Sequence, residues 1–173
     1  LFARNVSFGW YFIYIPIGKE PKVDLMPTPE QRSHLREKVW EWRSTKPIFI
    51  GDFWNDGPWV GGCIAGGRKY FHINALGDVE PCVFIHFATD NIFDLWKKGK
   101  GLKDAILSPF FMDIRKCQLT NNNWLTPCTI IDKPEFLREV VKRHNAYPTH
   151  KGAETIIQGE IAEYLDEYAK EVD

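Results

Sequence analysis

The chain has 173 residues, of which 44% are hydrophobic and 26% charged, as in an ordinary globular protein. Its 22 basic and 23 acidic side chains nearly balance, which leaves no electrostatic footprint for nucleic acid. This composition excludes a disordered chain, and no apolar run is long enough to predict a membrane span. The sequence begins at Leu1 rather than Met, and we expect it to be a fragment or processed piece of a longer protein.

The first part of the chain predicts a strand, a helix and a second strand. Residues 7–17 are aromatic and β-branched, a pattern typical of a strand that is buried on both faces. Residues 28–31 (TPEQ) predict a helix start with a capping box, and the helix should end before Pro47. Residues 47–51 form a second short buried strand, so the unit predicts parallel pairing.

The middle of the chain predicts a loop followed by a β-hairpin. Residues 52–67 are rich in Gly, Trp and Asp and show no periodicity. Residues 69–76 and 79–87 have the character of strands, and Gly77 lies in the short turn between them.

The rest of the chain predicts helices. They are expected over residues 91–98, 101–116, 132–144 and 153–171. Asp132 and Glu135 have the spacing of a second capping box, and an Asn-rich loop precedes them.

The four cysteines are the residues with the clearest chemistry. Cys63 and Cys82 lie on either side of the hairpin in the pattern C-x13-G-x4-C, whose glycine is Gly77. Because a hairpin brings its ends together, both thiols are expected to face one point, and glycine permits the positive φ that the turn needs. Cys128 lies on a loop and could approach the same point, whereas Cys117 ends a helical stretch.

These residues alone leave four interpretations of the cysteines open. Each could be a small buried apolar residue, or they could form disulfides, although a chain of this length needs none for its core. A structural zinc site normally contains a short Cys or His pair, and only His144 and His150 lie near each other. Iron–sulfur clusters accept widely spaced thiolates from loops and hairpins.

Residues 63–82 (CIAGGRKYFHINALGDVEPC) resemble the start of the auxiliary-cluster domain of radical S-adenosylmethionine enzymes, called SPASM or, in a shorter form, twitch. That domain opens with C-x9–15-G-x4-C on a β-hairpin, and the ending GDVEPC is the most specific part of the resemblance. Residues 90–111 are similar to the short helix and small helical region that follow in the family. Cys128 resembles a later ligand.

The resemblance implies an α/β (α+β) fold that contains the end of a partial (β/α) barrel and a small domain of a hairpin and helices. Residues 1–51 would be the terminal βαβ unit of the barrel, 52–132 the SPASM/twitch-like domain and 133–173 C-terminal helices. The domain would bind one auxiliary 4Fe-4S cluster. Its ligands would be Cys63, Cys82 and Cys128, with Cys117 as the candidate for the fourth.

The sequence also departs from the family. Only Cys117 and Cys128 follow Cys82, which is too few for the later C-x2-C-x5-C-x3-C set of a full SPASM domain. The chain can therefore ligate at most one auxiliary cluster. The C-x3-C-x2-C motif that binds the radical-generating cluster is absent, and we expect the chain alone to be inactive. S-adenosylmethionine and the second 4Fe-4S cluster would then belong to a part that precedes this chain.

The resemblance further implies a cytoplasmic oxidoreductase whose auxiliary cluster passes electrons or binds substrate. The expected partners are a peptide or small-molecule substrate and an electron donor such as ferredoxin or flavodoxin, with no nucleic acid and no membrane span. The alternative is a non-catalytic domain that binds zinc or a partner protein through the Trp-rich loop at residues 52–67.

Three residues are weak catalytic candidates. Asp52 follows the second strand and Tyr14 lies near the end of the first, where barrel enzymes place their sites. Arg68 lies five residues after Cys63 and could donate to a cluster sulfide or a substrate carboxylate.

Other polar and aromatic residues near the cysteines have structural interpretations as well. Trp54 and Trp59, with Asp56 between them, could line a pocket or pack the loop against the first unit. His72 and His86 bracket the hairpin and are expected to be satisfied polar positions rather than metal ligands.

Overall fold

The computed structural model describes residues 4–172, which form a mixed α+β fold with small sheets and seven α-helices. The strands are β1 (Phe8–Tyr11), β2 (Phe49–Asp52), β3 (His72–Ile73), β4 (Asp78–Glu80), β5 (Phe87–Ala88), β6 (Asp90–Asn91) and β7 (Tyr147–Pro148). The α-helices are α1 (Pro29–Thr45), α2 (Gly57–Val60), α3 (Ile92–Lys97), α4 (Leu102–Ile106), α5 (Pro109–Thr120), α6 (Pro134–Arg143) and α7 (Glu160–Val172). Short 3-10 helices cover Val23–Leu25 and Ala153–Ile156. Within residues 4–172, no helix combines the length and the apolar character that crossing a membrane requires.

The predicted strand–helix–strand unit is confirmed. β1 and β2 pair in parallel, and α1 connects them. The capping box at the start of α1 is present, since the Thr28 hydroxyl accepts from the Gln31 amide and the Gln31 side chain accepts from the Thr28 amide. α1 ends at Thr45, before Pro47, because a residue that precedes proline is disfavoured in helical geometry.

The β1–β2 sheet is buried on one face only, whereas the sequence predicted burial on both. α1 lies against one face, where the rings of Tyr11 and Trp42 are 5.8 Å apart. On the other face Phe8, Trp10 and Phe49 are 48%, 56% and 68% exposed. Successive side chains of a strand point to opposite faces, so the aromatic run leaves alternate rings uncovered.

The predicted hairpin is present with shorter strands. β3 and β4 pair antiparallel, and β6 pairs with the other edge of β4. The Asn74 side chain closes the turn by accepting from the amides of Leu76 and Asp78. Gly77 has a φ of +88°, and an added Cβ would lie 2.6 Å from the Phe93 ring, so the turn requires glycine here.

Two predicted helices are interrupted. The helix expected over residues 101–116 divides into α4 and α5, because Ser108 caps α5 and Pro109, which has no amide hydrogen, is its first residue. The helix expected over 153–171 begins as a 3-10 helix, and Gly159, with a φ of +79°, separates that helix from α7.

The second predicted capping box is wrong. α6 begins after Lys133, and no side chain caps its first turn. Asp132 is unavailable as a cap because its carboxylate, which is fully buried, binds Arg32 and the Cys128 amide instead.

One hydrophobic cluster holds the described residues together. It includes Ile13 and Ile15 after β1, Phe110 and Phe111 of α5, and Leu165 of α7. The cluster therefore draws on each of the three segments predicted from sequence, and the cysteine-bearing loops lie against it.

Candidate metal centre

Three of the four cysteines line one small cavity. Cys63 reaches it from the loop after α2, Cys82 from the loop after β4, and Cys128 from the loop between α5 and α6. The rest of the lining is mostly apolar and consists of Ile15, Phe53, Trp54, Ala65, Tyr70, Phe84, Ile85, Pro127, Thr129 and Ile130. The hairpin and one distant loop thus bring three thiols to a single water-poor space.

Two of the three sulfur atoms accept a hydrogen bond from a backbone amide that follows in sequence. The donors are the amide of Ala65, 3.4 Å from the Cys63 sulfur, and the amide of Phe84, 3.5 Å from the Cys82 sulfur. Hydrogen bonds donated to a sulfur favour its thiolate form, which is the form that binds metals.

Burial opposes that effect and keeps the thiols neutral in the absence of a cation. It raises the pKa of Cys63 to about 12, with the neighbouring Cys82 as the second cause. Burial also raises the pKa of Cys82, and it raises that of Cys128 well above its usual value, where Asp132 and Cys63 add to the effect. A cation among the three sulfurs would offset both the burial and the repulsion between thiolates.

Cys117 does not join the lining of the cavity. It is buried in α5, 4% exposed, and burial raises its pKa to about 11. Its thiol is close enough to Cys63 to contribute to the raised pKa of that residue. None of the four cysteines is in a disulfide bond.

Gln118, which sequence reasoning missed, connects two of the cysteine loops. Its side-chain oxygen accepts from the Cys63 amide at 2.8 Å, and its side-chain nitrogen donates to the Pro127 carbonyl at 2.8 Å. Gln118 is 6% exposed, and its hydrogen bond to the Pro127 carbonyl is buried while that to the Cys63 amide is partly buried. One amide therefore fixes the separation of the loop at Cys63 from the loop that carries Cys128.

Asp132 fixes the turn that follows Cys128. Its carboxylate accepts from the Cys128 amide at 2.9 Å, while the Cys128 carbonyl accepts from the Asp132 amide at 2.9 Å. Arg32 of α1 donates to the same carboxylate at 2.7 Å and also donates to the Leu125 carbonyl. This buried ion pair ties the strand–helix–strand unit to the third cysteine.

Tyr70 contributes a hydroxyl group to the cavity. Its phenol oxygen lies 2.7 Å from the Cys82 sulfur. Only the position of Tyr70 between the two hairpin cysteines could have indicated this contact from the sequence.

The three weak catalytic candidates have structural partners. The Asp52 carboxylate is buried and accepts from the amides of Trp54 and Asn55, which closes the turn after β2. The Tyr14 hydroxyl accepts from the Lys22 amide at 3.0 Å. Arg68 donates to the backbone carbonyls of Cys63 and Val60, so its guanidinium holds the loop that carries Cys63.

The aromatic loop at residues 52–67 is divided between the interior and the surface. Trp54 is 3% exposed and lines the cysteine cavity, whereas Trp59 is 69% exposed and lies against Trp40 of α1. Asp56 forms an ion pair with Arg43 at 2.8 Å. The two tryptophans therefore do not form one pocket.

The two histidines that bracket the hairpin are hydrogen-bonded. His72 lies 2.5 Å from the buried Glu80 carboxylate, and His86 lies 3.2 Å from the Val83 carbonyl. Neither lines the cysteine cavity.

The donor set fits a metal cluster in chemistry, but the cavity is narrow. Within residues 4–172, no group of three or more His, Cys, Asp or Glu side chains is arranged to hold a metal ion. The cavity has a volume of about 30 Å³, close to the space of one water molecule in the liquid. Three thiols match a thiolate-bound centre in ligand type, and the loops would have to separate to admit a four-iron cluster.

Comparisons with family models, curated proteins and solved structures found no match to this chain.

Proposed function

We propose that this chain is the C-terminal region of a radical S-adenosylmethionine enzyme and binds one auxiliary 4Fe-4S cluster. The observation that supports the proposal most is the convergence of Cys63, Cys82 and Cys128 on one cavity, with an amide donor at the sulfurs of Cys63 and Cys82. The resemblance of residues 63–82 to the SPASM/twitch hairpin gives the cofactor and the enzyme class.

Cys63, Cys82 and Cys128 would hold the cluster, which when bound supplies a one-electron carrier or an iron that substrate can occupy. Three thiolates leave one position of a four-iron cluster without a cysteine, because Cys117 lies outside the cavity lining. Gln118 and Asp132 would hold the ligand loops in place.

Two lining residues connect the cavity to an open aromatic surface. Phe53 contacts Trp10 and Phe12 with ring centroids 5.4 and 4.7 Å apart, and the Phe84 ring lies 6.1 Å from that of Phe12. The apolar rings of Phe12, Phe53 and Phe84, which lie between the cavity and the surface, would exclude water from the cavity. A peptide or small-molecule substrate and a donor of the ferredoxin or flavodoxin class are the partners that the proposal implies.

The test is anaerobic reconstitution of the chain with iron and sulfide, followed by measurement of iron, acid-labile sulfide and visible absorbance. We expect a brown protein, and we expect Cys63→Ser, Cys82→Ser and Cys128→Ser each to lose most of its iron. Cys117→Ser is the matched control, since it changes a buried cysteine outside the lining, and it should keep the cluster. Retention of iron by all three lining variants would contradict the ligand assignment.

A second candidate, a zinc-binding domain without catalytic activity, is favoured by the small volume of the cavity. A single ion needs less space than a cluster, and zinc accepts thiolate ligands in tetrahedral sites. In that case the exposed aromatic residues, among them Trp59, would bind a partner protein. Purified protein that is colourless and contains one zinc per chain would favour this candidate over the first.

A further inference from the structure

The two edges of the β1–β2 sheet differ in how their backbone groups are covered. The carbonyls of Ser7 and Tyr11 accept from amides at the β2 side, so these residues face the paired strand. Alternate residues of a strand direct their backbone groups to opposite sides, and the amides and carbonyls of Phe8 and Trp10 therefore point away from β2. Within residues 4–172, no hydrogen bond reaches these groups, so the outer edge of β1 is open.

The outer edge of β2 is closed by side chains. The Ile50 carbonyl accepts from Nε and Nη2 of Arg43 at 3.0 and 2.7 Å. The Asp52 amide donates to the Asp56 carboxylate at 2.8 Å, and Asp56 forms an ion pair with Arg43. Charged side chains at an edge strand prevent the addition of further strands. β1 lacks this protection, because residues 6–17 contain no charged side chain.

Half-exposed aromatic rings lie beside the open edge. Phe8, Trp10 and Phe12 occupy the uncovered face of the sheet, and the Phe8 ring stacks on that of Phe49 at 5.4 Å. An aromatic side chain can bury roughly 150–250 Å², so these four rings leave about 400 Å² of apolar surface exposed on each chain. Two copies together offer about 800 Å², which is at the lower end for association between proteins. We therefore expect a weak dimer that depends on concentration.

We infer that β1 is a self-association site, at which the same strand of a second copy of this chain pairs antiparallel across a two-fold axis at Trp10. In this register Trp10 lies opposite its own copy, and Phe8 lies opposite Phe12 of the second chain. The outward backbone groups then meet, and antiparallel strands exchange both hydrogen bonds at such positions. Because the axis stands perpendicular to the sheet, the rings of both copies lie on one face as cross-strand aromatic pairs, which stabilise a sheet.

Pairing at β1 gives a closed dimer rather than a filament. The combined sheet has the order β2–β1–β1–β2, and its two outer edges are the ones that Arg43 and Asp56 cover. A contact that uses the same surface on both chains is complete with two copies. This closure favours a second copy over an open series of added strands. The contact needs no cofactor, so the inference is independent of the proposed function.

Sedimentation equilibrium of the chain over a range of concentrations tests the inference. We expect the average mass to rise from that of one chain toward twice that value. Trp10→Lys places two ammonium groups opposite each other at the axis, and this variant should remain a monomer at every concentration. Trp96→Lys is the matched control, because Trp96 is similarly exposed, at 58%, and lies on α3. It should dimerise as the unaltered protein does.

A disulfide trap tests the register and covers the case in which Trp10→Lys fails to fold. Opposed residues of a hydrogen-bonded antiparallel pair have Cα atoms about 5.5 Å apart, which a disulfide can span. With oxidised glutathione as the oxidant, Trp10→Cys should give a crosslinked dimer on a non-reducing denaturing gel. Phe49→Cys is the control, since Phe49 is exposed on the same face but lies on β2, and it should remain monomeric.

Three results would count against the inference. A chain that is monomeric at every concentration would overturn it, as would equal dimerisation by Trp10→Lys and Trp96→Lys. Crosslinking of Phe49→Cys without crosslinking of Trp10→Cys would overturn the strand pairing, because it would place one ring face against the other. None of these results alters the iron and sulfide measurement that tests the proposed function.

Discussion

Gln118 offers a direct test of how the cavity is held together. Gln118→Met keeps the length of the side chain and removes its donor and its acceptor. The Cys63 amide and the Pro127 carbonyl each lose a buried partner. Leaving a buried polar group unpaired costs about 1–3 kcal/mol, so the two together should lower the free energy of unfolding by about 2–6 kcal/mol.

Urea denaturation measures this loss, with the fluorescence of the seven tryptophans as the signal. Hydrogen exchange adds a local readout, because the Cys63 amide should exchange faster in the variant while amides of α7 change only with global stability. Gln158→Met is the matched control, since Gln158 is exposed. It should unfold at the same urea concentration as the unaltered protein.

A substitution at Gly62, which contacts the Gln118 side chain, should also disrupt the hydrogen bonds of Gln118. A Cβ at this position would lie 2.3 Å from the side-chain oxygen of Gln118 and would push the amide out of place. Gly62→Ala should therefore lose the same hydrogen bonds and, because Gly62 has a φ of +85°, should also add backbone strain of its own. The strain is present in the single and the double variant alike, so the double variant should still be less destabilised than the sum of the two single ones. Additive losses, or a Gln118→Met protein as stable as the Gln158 control, would refute the reasoning.

Two further variants test ion pairs of the fold. Arg32→Met leaves the Asp132 carboxylate buried without its guanidinium partner. This should lower the free energy of unfolding, measured in urea, by about 3–5 kcal/mol. A loss of stability no larger than that caused by substituting an exposed arginine would contradict the prediction. The Asp113 carboxyl accepts from Lys116, His144 and Arg143, which hold its pKa below 3.8. The folded state therefore binds a proton at Asp113 more weakly than the unfolded state does. The contribution of Asp113 to stability is complete above about pH 4 and is lost as the pH falls below that value. Asp113→Asn should flatten the acid limb of a plot of stability against pH, and an unchanged limb would show that other carboxyls dominate.

Local signals in the sequence were enough to predict the hairpin and the start of α1. Gly77 permits a backbone conformation that other residues rarely adopt, and the capping box at Thr28 needs only neighbours within three residues. The same local reasoning failed at Asp132, because its carboxylate is taken by Arg32, which is 100 positions away in the chain. A capping pattern predicts a cap only where no stronger distant partner competes for the side chain.

The residues that organise the cavity could not be predicted from local sequence patterns either, because their partners are distant in the chain. Gln118 lies 55 positions from Cys63 and reads in sequence as one more polar residue at the end of a helix. Tyr70 reads as one more aromatic residue in a strand. Their roles depend on which loops meet in space, and neither hydrophobic periodicity nor turn chemistry encodes that meeting.

The burial of the three thiols and the amide donors near their sulfurs shift the pKa of the thiols in opposite directions, and the proposed metal centre is one way to relieve this opposition. Burial and mutual repulsion hold Cys63, Cys82 and Cys128 in the neutral thiol form. The amides that donate to Cys63 and Cys82 would stabilise thiolates, and thiolates in so apolar a cavity would need a positive centre to neutralise them, which is the condition that the proposed centre would meet.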